Sequence, residues 1–527
     1  MRSGVTSCAA GRGAELTMSG QPPAHIVIVG GGTAGWMAAN LLARRWGGPQ
    51  RPRCKISVLE SAEIGIIGVG EGSTPFLRQF FQLLGVAEHE WMPACNATYK
   101  SGIRFPDWST VPGYESYVHP FFNEQDRVTG TEFFLNACLR RRGAAADANP
   151  QDFFIAAALA RACKAPVLPP DPQGRPQLQT DYAYHFDAAL LGQFLRRHAL
   201  SLGVVHKVDT VLGVQLAENG DIASLQLQGG AQLAGDFFID CSGFKGLLIN
   251  EALGEPFISY KDNLFNDRAI ALPTALNPAA DIPSETVSRA LRHGWAWQIP
   301  LSSRYGNGYV YASDFVSDEE AELELRRLLG PAAEHSEARR LKMRVGRVER
   351  HWRNNCLALG LSQGFIEPLE ATALMLIQLS LFNFMELFER AGFGRQQQGL
   401  FNQRINKMFE GVRDYVVAHY HLNTRRDSDY WRANRAHHHI SNRLASILEV
   451  WDGGGDFEAE LSRHGDALMY LRPSWYCLLA GMGRFPAELR PLDRPRLSGA
   501  QARAATEALV REQFPSHRQQ LVALAEA

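Results

Sequence analysis

The sequence predicts an α/β (α+β) fold, in which a doubly wound nucleotide-binding unit carries an antiparallel sheet and a mainly helical C-terminal unit covers it. Three observations predict this. A β-branched strand near residue 25 runs into a glycine turn and a helix; alternating strands fill the middle of the chain and end in the apolar Phe237–Asp240; and a helix-patterned apolar run begins near Glu370. At 527 residues the chain has ample core for a bound cofactor. Its net charge of -1 creates no field that favours nucleic acid or an anionic membrane, so small molecules are the expected partners.

Residues 1–23 are small and polar and are expected to form a disordered tail, with Met18 an alternative start. Next, "HIVIVGGGTAGWMAANLLARRW" reads as a strand from Ile26 to Val29, a turn, and a helix from about Thr33 to Trp46. Gly30, Gly32 and Gly35 satisfy GxGxxG in the required place. The first makes the tight turn, the second lets backbone approach a pyrophosphate, and the third lets helix and strand pack. The helix start at Thr33 and Ala34 then attracts the phosphates. A second strand, "KISVLE", ends at Glu60, whose carboxylate accepts from ribose hydroxyls.

The middle of the chain continues the pattern. "ATYKSGIRF" holds Lys100, one of only 8 lysines among 54 basic residues. If this stretch is one extended strand, Thr98, Lys100, Gly102 and Arg104 share a face, and Lys100 points away from the apolar side, into a cavity or into bulk water. The β-rich run from Val204 through "ENGD" returns in Phe237–Asp240 and "CSGFKG". A returning strand with a small-residue turn is how flavin monooxygenase folds meet their glycine loop, which favours FAD over NAD. Trp295 and Trp297 in "GWAWQIP" fall on one side of a strand, as a buried aromatic pair or as something more specific.

From Glu370 to about Glu410 the pattern is a long amphipathic helix. Its most apolar part, Pro368 to Phe388, is broken by Glu370, Gln378, Asn383 and Glu386, so it is a buried helix and not a membrane span. Glu367 and Glu370, three apart, would share a helix face, with Pro368 suited to the first turn and Glu367 complementing the helix dipole. Three adjacent histidines, His437 to His439, point in different directions and make no metal site; no metal is expected. Trp431, Trp451 and Trp475 suit pocket walls or plain core. The eight scattered cysteines read as reduced thiols of a cytoplasmic protein.

"GWAWQIP" fits the WxWxIP signature of flavin-dependent halogenases, and residues 24 to 480 resemble the tryptophan halogenase family. "GVGEGSTP" (Gly68 to Pro75) is similar to that family's GVGEATxP segment, and "GFIEPLEAT" and "HYHLNTRRDSDYWR" to its central and late segments. The resemblance implies an FAD unit over residues 24–365, with a helical substrate-covering unit over 366–527. Gly30, Gly32, Thr33, Ala34, Gly35 and Glu60 would hold FAD, joined by Gly70, Val208, Asp240 and Gly360. It implies that FADH2, supplied by a diffusible NADH-dependent flavin reductase, reacts with dioxygen and chloride or bromide to give hypohalous acid.

That oxidant would pass to Lys100, which an amine suits and a delocalised guanidinium does not. The family's second catalytic group falls on Glu370, and its halide-binding Thr-Gly pair on Thr372 and Ala373. Here the glycine is missing, Ala371 stands where Ser is common, and "GEGST" replaces "GEATx". These departures point to an indole or other electron-rich aromatic, not necessarily tryptophan itself, with a homodimer as a candidate assembly. The competing reading is a flavin aromatic hydroxylase, which shares the nucleotide end but gives a Lys-Glu pair no role.

Overall fold

The computed structural model describes residues 21–47, 54–62, 69–169 and 180–527. The tail to residue 20, and Gly68 of the flavin-side segment, lie outside them. The first strand, His25–Val29, is buried from Ile26 onward, as its run of β-branched residues requires, and it forms the centre of a parallel sheet. Phe237–Asp240 pairs with it on one side and Lys55–Glu60 on the other; Val205–Val208 and Cys356–Ala358 extend the two flanks. The helix Thr33–Trp46 crosses back over this sheet, with ten of its fourteen residues buried.

A second sheet holds the tryptophan strand, Gly294–Pro300, between Glu285–Leu291 and Arg304–Tyr311. It is antiparallel except at one point, where Glu285–Leu291 runs parallel to Gly102–Pro106. Trp295 and Trp297 do share a face, with ring centroids 6.3 Å apart. Gly308, on the neighbouring strand, leaves the space that the Trp297 ring fills.

"ATYKSGIRF" is not one strand. It breaks at Ser101, whose N–H and hydroxyl both bond the Ser284 carbonyl. Thr98–Lys100 belongs to a separate three-stranded sheet with Gly70–Gly72 and Ala183–Asp187, while Gly102–Pro106 joins the tryptophan sheet. The two sheets therefore meet at Lys100. Gly70 and Gly306 face one another there so closely that neither has room for a side-chain carbon.

From Ala373 onward the elements are helical. The predicted long helix is two, Ala373–Arg390 and Gln398–His421, because Gly392 and Phe393 take left-handed backbone and end the first. Helical cover also comes from earlier in the chain: Pro150–Phe153 and Ile155–Arg161 pack on Gly499–Gln513. Beyond that helix, buried His517 donates from Nδ1 to the Ile282 carbonyl and accepts at Nε2 from the N–H of Tyr99, next to Lys100. His437 to Ile440 lie outside any helix. No group of described residues is placed to hold a metal ion, and no described helix is long and apolar enough to cross a membrane.

Candidate active site

The glycine turn is shaped by backbone contacts. Gly30 has φ +114°, and a side-chain carbon there would overlap the Cys241 carbonyl; one at Gly35 would overlap the Gly30 carbonyl. Gly32 differs, with nothing within 4 Å of the corresponding position. It precedes a helix whose first N–H groups have no side-chain cap, so open space and free donors coincide at Thr33 and Ala34. Gly360, at φ +71°, approaches the Ala34 side chain. Glu60 accepts from His206 Nε2 at 2.8 Å and lays its other oxygen along Gly31, and Val208 sits opposite it in the sheet, exposed. These residues fit a dinucleotide: open space at Gly32, uncapped amides and a carboxylate at the strand end.

Asp240 does not present its carboxylate to that opening. One oxygen accepts from the Ser242 N–H and hydroxyl, the other from the Leu248 and Ile249 N–H groups. Its work is to fold the returning loop against the glycine turn.

Lys100 is fully buried. Its Nζ donates to the Ser73 carbonyl at 3.0 Å and stands 5.6 Å from the centre of the Phe121 ring. Burial lowers its pKa from the ordinary 10.5 to about 7, against a smaller upward pull from the charge of Glu370. The local pattern left cavity and bulk water open; the structure removes the lysine from bulk water.

Glu370 ends the short 3₁₀ turn Pro368–Glu370 and is buried. A carboxylate only accepts, so His119 donates to it from Nδ1 at 2.8 Å and His419 from Nε2 at 2.9 Å. His119 Nε2 in turn meets the Ser474 hydroxyl, and His419 Nδ1 the Tyr117 hydroxyl. Burial pushes the Glu370 carboxyl up, but the two imidazoles outweigh it and hold it at about 2. The carboxyl is therefore ionised throughout the neutral range.

Glu367 does not share this environment, nor does it cap a helix. It accepts from Asn266 Nδ2 at 2.8 Å, Trp295 Nε1 at 3.0 Å and the Tyr420 hydroxyl. Burial raises its pKa, opposed by those three bonds. It thus fixes the first tryptophan of the signature. Ala371 then reverses the chain in left-handed backbone, φ +56°, and Thr372 precedes the helix that starts at Ala373. Residue 373 is helical, so the missing glycine costs nothing in backbone conformation there. The N–H groups of Thr372 and Ala373 remain at an uncapped helix start, the natural place for an anion.

The family model for tryptophan halogenase matches residues 25–496. The chain belongs to that family. Tryptophan 6-halogenase SttH from Streptomyces toxytricini is 39% identical over 458 residues, spanning 82% of this chain and 85% of that protein. Its crystal structure superposes with a TM-score of 0.82 over 95% of this chain and 100% of the other. BrvH, a flavin-dependent halogenase from Brevundimonas sp. BAL3, is 35% identical with a TM-score of 0.79, over 95% and 99%. Tryptophan 7-halogenase RebH from Lentzea aerocolonigenes is 34% identical, over 88% and 90%. This halogenase is accordingly a flavin-dependent enzyme.

Sequence reasoning missed the halogenase's histidines. His119 sits in the strand Ser116–Pro120 and His419 near the end of a helix, 251 and 49 positions from the Glu370 they hold. The one local signal was that "SYVHPFF" and "HYHLN" put histidines beside aromatic residues. Of the three late tryptophans, Trp475 lies 5.1 Å from Tyr415, which itself neighbours His119 and His419. Trp431 packs on Trp108, and Trp451 on Phe457.

Proposed function

We propose that the enzyme uses FADH2, delivered by an NADH-dependent flavin reductase, and chloride or bromide to halogenate an electron-rich aromatic, an indole or a tryptophan derivative, with Lys100 and Glu370 as the catalytic pair. The glycine opening at Gly32, the amides of Thr33 and Ala34, and Glu60 would hold the cofactor. The bound cofactor's chemistry is to reduce dioxygen so that halide is oxidised to hypohalous acid. The amides of Thr372 and Ala373 would bind the halide.

The buried Lys100 amine holds the oxidant, by hydrogen bonding or by taking the halogen. As the ring carbon takes the halogen it becomes cationic, and ionised Glu370 stabilises that charge and accepts the ring proton. His119 and His419 keep Glu370 charged and in place. Glu367 anchors the WxWxIP strand through Trp295.

The observation that carries the reading is the pairing itself: a fully buried amine with a pKa near 7 feels the charge of a carboxylate 270 positions away that two histidines hold ionised. A charged surface lysine would show neither feature. The relatives named above act on tryptophan in two of three cases, which supports an indole ring as the group attacked. The test is incubation with FAD, flavin reductase, NADH, bromide and indole, read by mass spectrometry. Brominated indole is expected, and Lys100→Met should release peroxide without bromination. Hydroxyindole without bromination, or undiminished bromination by Lys100→Met, overturns the reading.

A further inference from the structure

Gly72 borders the lysine amine, and the catalytic reading gives it no part. In the three-stranded sheet Ala183–Asp187 lies between Gly70–Gly72 and Thr98–Lys100, so Gly72 and Lys100 stand on the two outer strands. Ala183, opposite Lys100, is small, and the lysine reaches across the middle strand to the carbonyl of Ser73, the neighbour of Gly72 in the chain. A side-chain carbon at Gly72 would stand 3.2 Å from Lys100 Nζ, 3.3 Å from Thr286 Oγ1 and 3.6 Å from His185 Cδ2.

Nothing in the backbone asks for glycine here. Gly72 lies in a strand without positive φ, unlike Gly30 and Gly360, and the three atoms nearest the missing carbon all belong to side chains. At Gly70 the obstacle is instead the backbone of Gly306. The consequence of glycine at position 72 therefore falls on the surroundings of the amine. A methyl group 3.2 Å from Nζ would be inside ordinary contact distance, so alanine, which the family's GEAT segment carries at this position, would press on the amine. Glycine leaves that side clear by the size of one methyl group. The space is too small for a substrate ring. What must fit against the amine in the proposed reaction is a halogen atom, and bromine is close to a methyl group in size, while chlorine is smaller.

We infer that Gly72 sets how large a halogen Lys100 can carry: the room left by its missing side chain lets the amine take bromine as readily as chlorine. The inference rests on the catalytic reading above. In the step concerned, the amine's lone pair bonds to the halogen of hypohalous acid as the oxygen–halogen bond breaks. The hydroxide released takes one N–H proton and leaves as water, so one N–H remains for the Ser73 carbonyl. The larger halogen is accommodated in the gap itself or by the amine receding into it, and a methyl group at position 72 closes both ways.

Gly72→Ala tests this, in the presence of FAD, flavin reductase, NADH, indole, excess taurine and one halide at a time. Halogen held by the lysine reaches indole, halogen that is not held escapes to taurine, and mass spectrometry counts both products. The native enzyme should deliver comparable fractions of bromine and chlorine to indole. In Gly72→Ala the fraction of bromine reaching indole should fall about fivefold or more, with a matching gain on taurine, while that of chlorine falls less than about twofold. With iodide the loss should exceed that with bromide. Thermal denaturation fixes the folded fraction of the variant. Equal losses of chlorine and bromine, or no loss of either, overturn the inference while leaving the role of Lys100 standing. A native enzyme that loses most of its bromine but not its chlorine to taurine also overturns it, and that measurement needs no variant to fold. Undiminished delivery of halogen to indole by Lys100→Met overturns both readings.

Discussion

A lysine moved from water to a site with a pKa of about 7 must weaken the fold at neutral pH, and Lys100→Met tests how much. The unfolded chain holds the proton with a pKa near 10.5 and the folded chain near 7, so between these values the unfolded state binds more protons and stability rises with pH. Integrating over that difference, the lysine costs the fold about 4 kcal/mol at pH 7 and about 2 kcal/mol at pH 9. Methionine has similar length and carries no charge. It forfeits the bond to the Ser73 carbonyl, worth about 1 kcal/mol. The variant should therefore be more stable than the native protein by about 3 kcal/mol at pH 7 and by about 1 kcal/mol at pH 9. Urea unfolding of the FAD-free proteins at both pH values measures this. A variant less stable at pH 7, or a gain that does not shrink by pH 9, refutes the claim that the amine is held at the expense of stability.

The other predictions concern the cofactor loop and the two glutamates. Gly32→Ala should leave the melting temperature unchanged, since nothing lies within 4 Å, yet weaken FAD binding at least tenfold in a fluorescence titration. Gly35→Ala, whose new carbon overlaps the Gly30 carbonyl, should lower stability and FAD binding together. Glu367→Leu orphans the donors of Asn266, Trp295 and Tyr420 and should cost about 3 kcal/mol or more in denaturant unfolding, whereas Glu367→Gln should cost about 1 kcal/mol. Glu370→Gln should reduce kcat for bromination about 100-fold with little change in KM for indole, in steady-state assays.

The nucleotide end was legible in the sequence because its determinants are local. The packing of Gly35 on the Gly30 carbonyl and the open position of Gly32 are set within six residues by one strand-turn-helix unit, although the carbonyl that crowds Gly30 comes from Cys241 on the returning strand. The tryptophan pair was legible for the same reason, since alternation alone puts Trp295 and Trp297 on one face. Lys100 was not, because the break at Ser101 hands its strand to a different sheet, and burial of an amine depends on which sheets meet there. The partners of Glu370 were beyond local reading too. Spacing placed Glu367 and Glu370 on one helix face, but Glu367 stands before the 3₁₀ turn in extended backbone and Glu370 ends it, so the two meet separate sets of partners. The end of the helix at Gly392 had a visible signal in "AGFG", a glycine C-cap pattern that the apolar run obscured.

The bond between the Tyr99 N–H and His517 Nε2 joins positions 418 apart. On a ribosome that makes 5 to 20 residues per second, roughly 20 to 80 seconds separate the synthesis of the two partners. The nucleotide sheet has all its strands once residue 358 is made, and it can fold during that interval. The backbone beside Lys100 cannot be completed until the final stretch of helix arrives. The glycine-turn sheet can therefore form in a nascent chain before the strand of Lys100 is complete, and fragments lacking the region around His517 should keep that sheet while leaving the backbone N–H of Tyr99 without its partner.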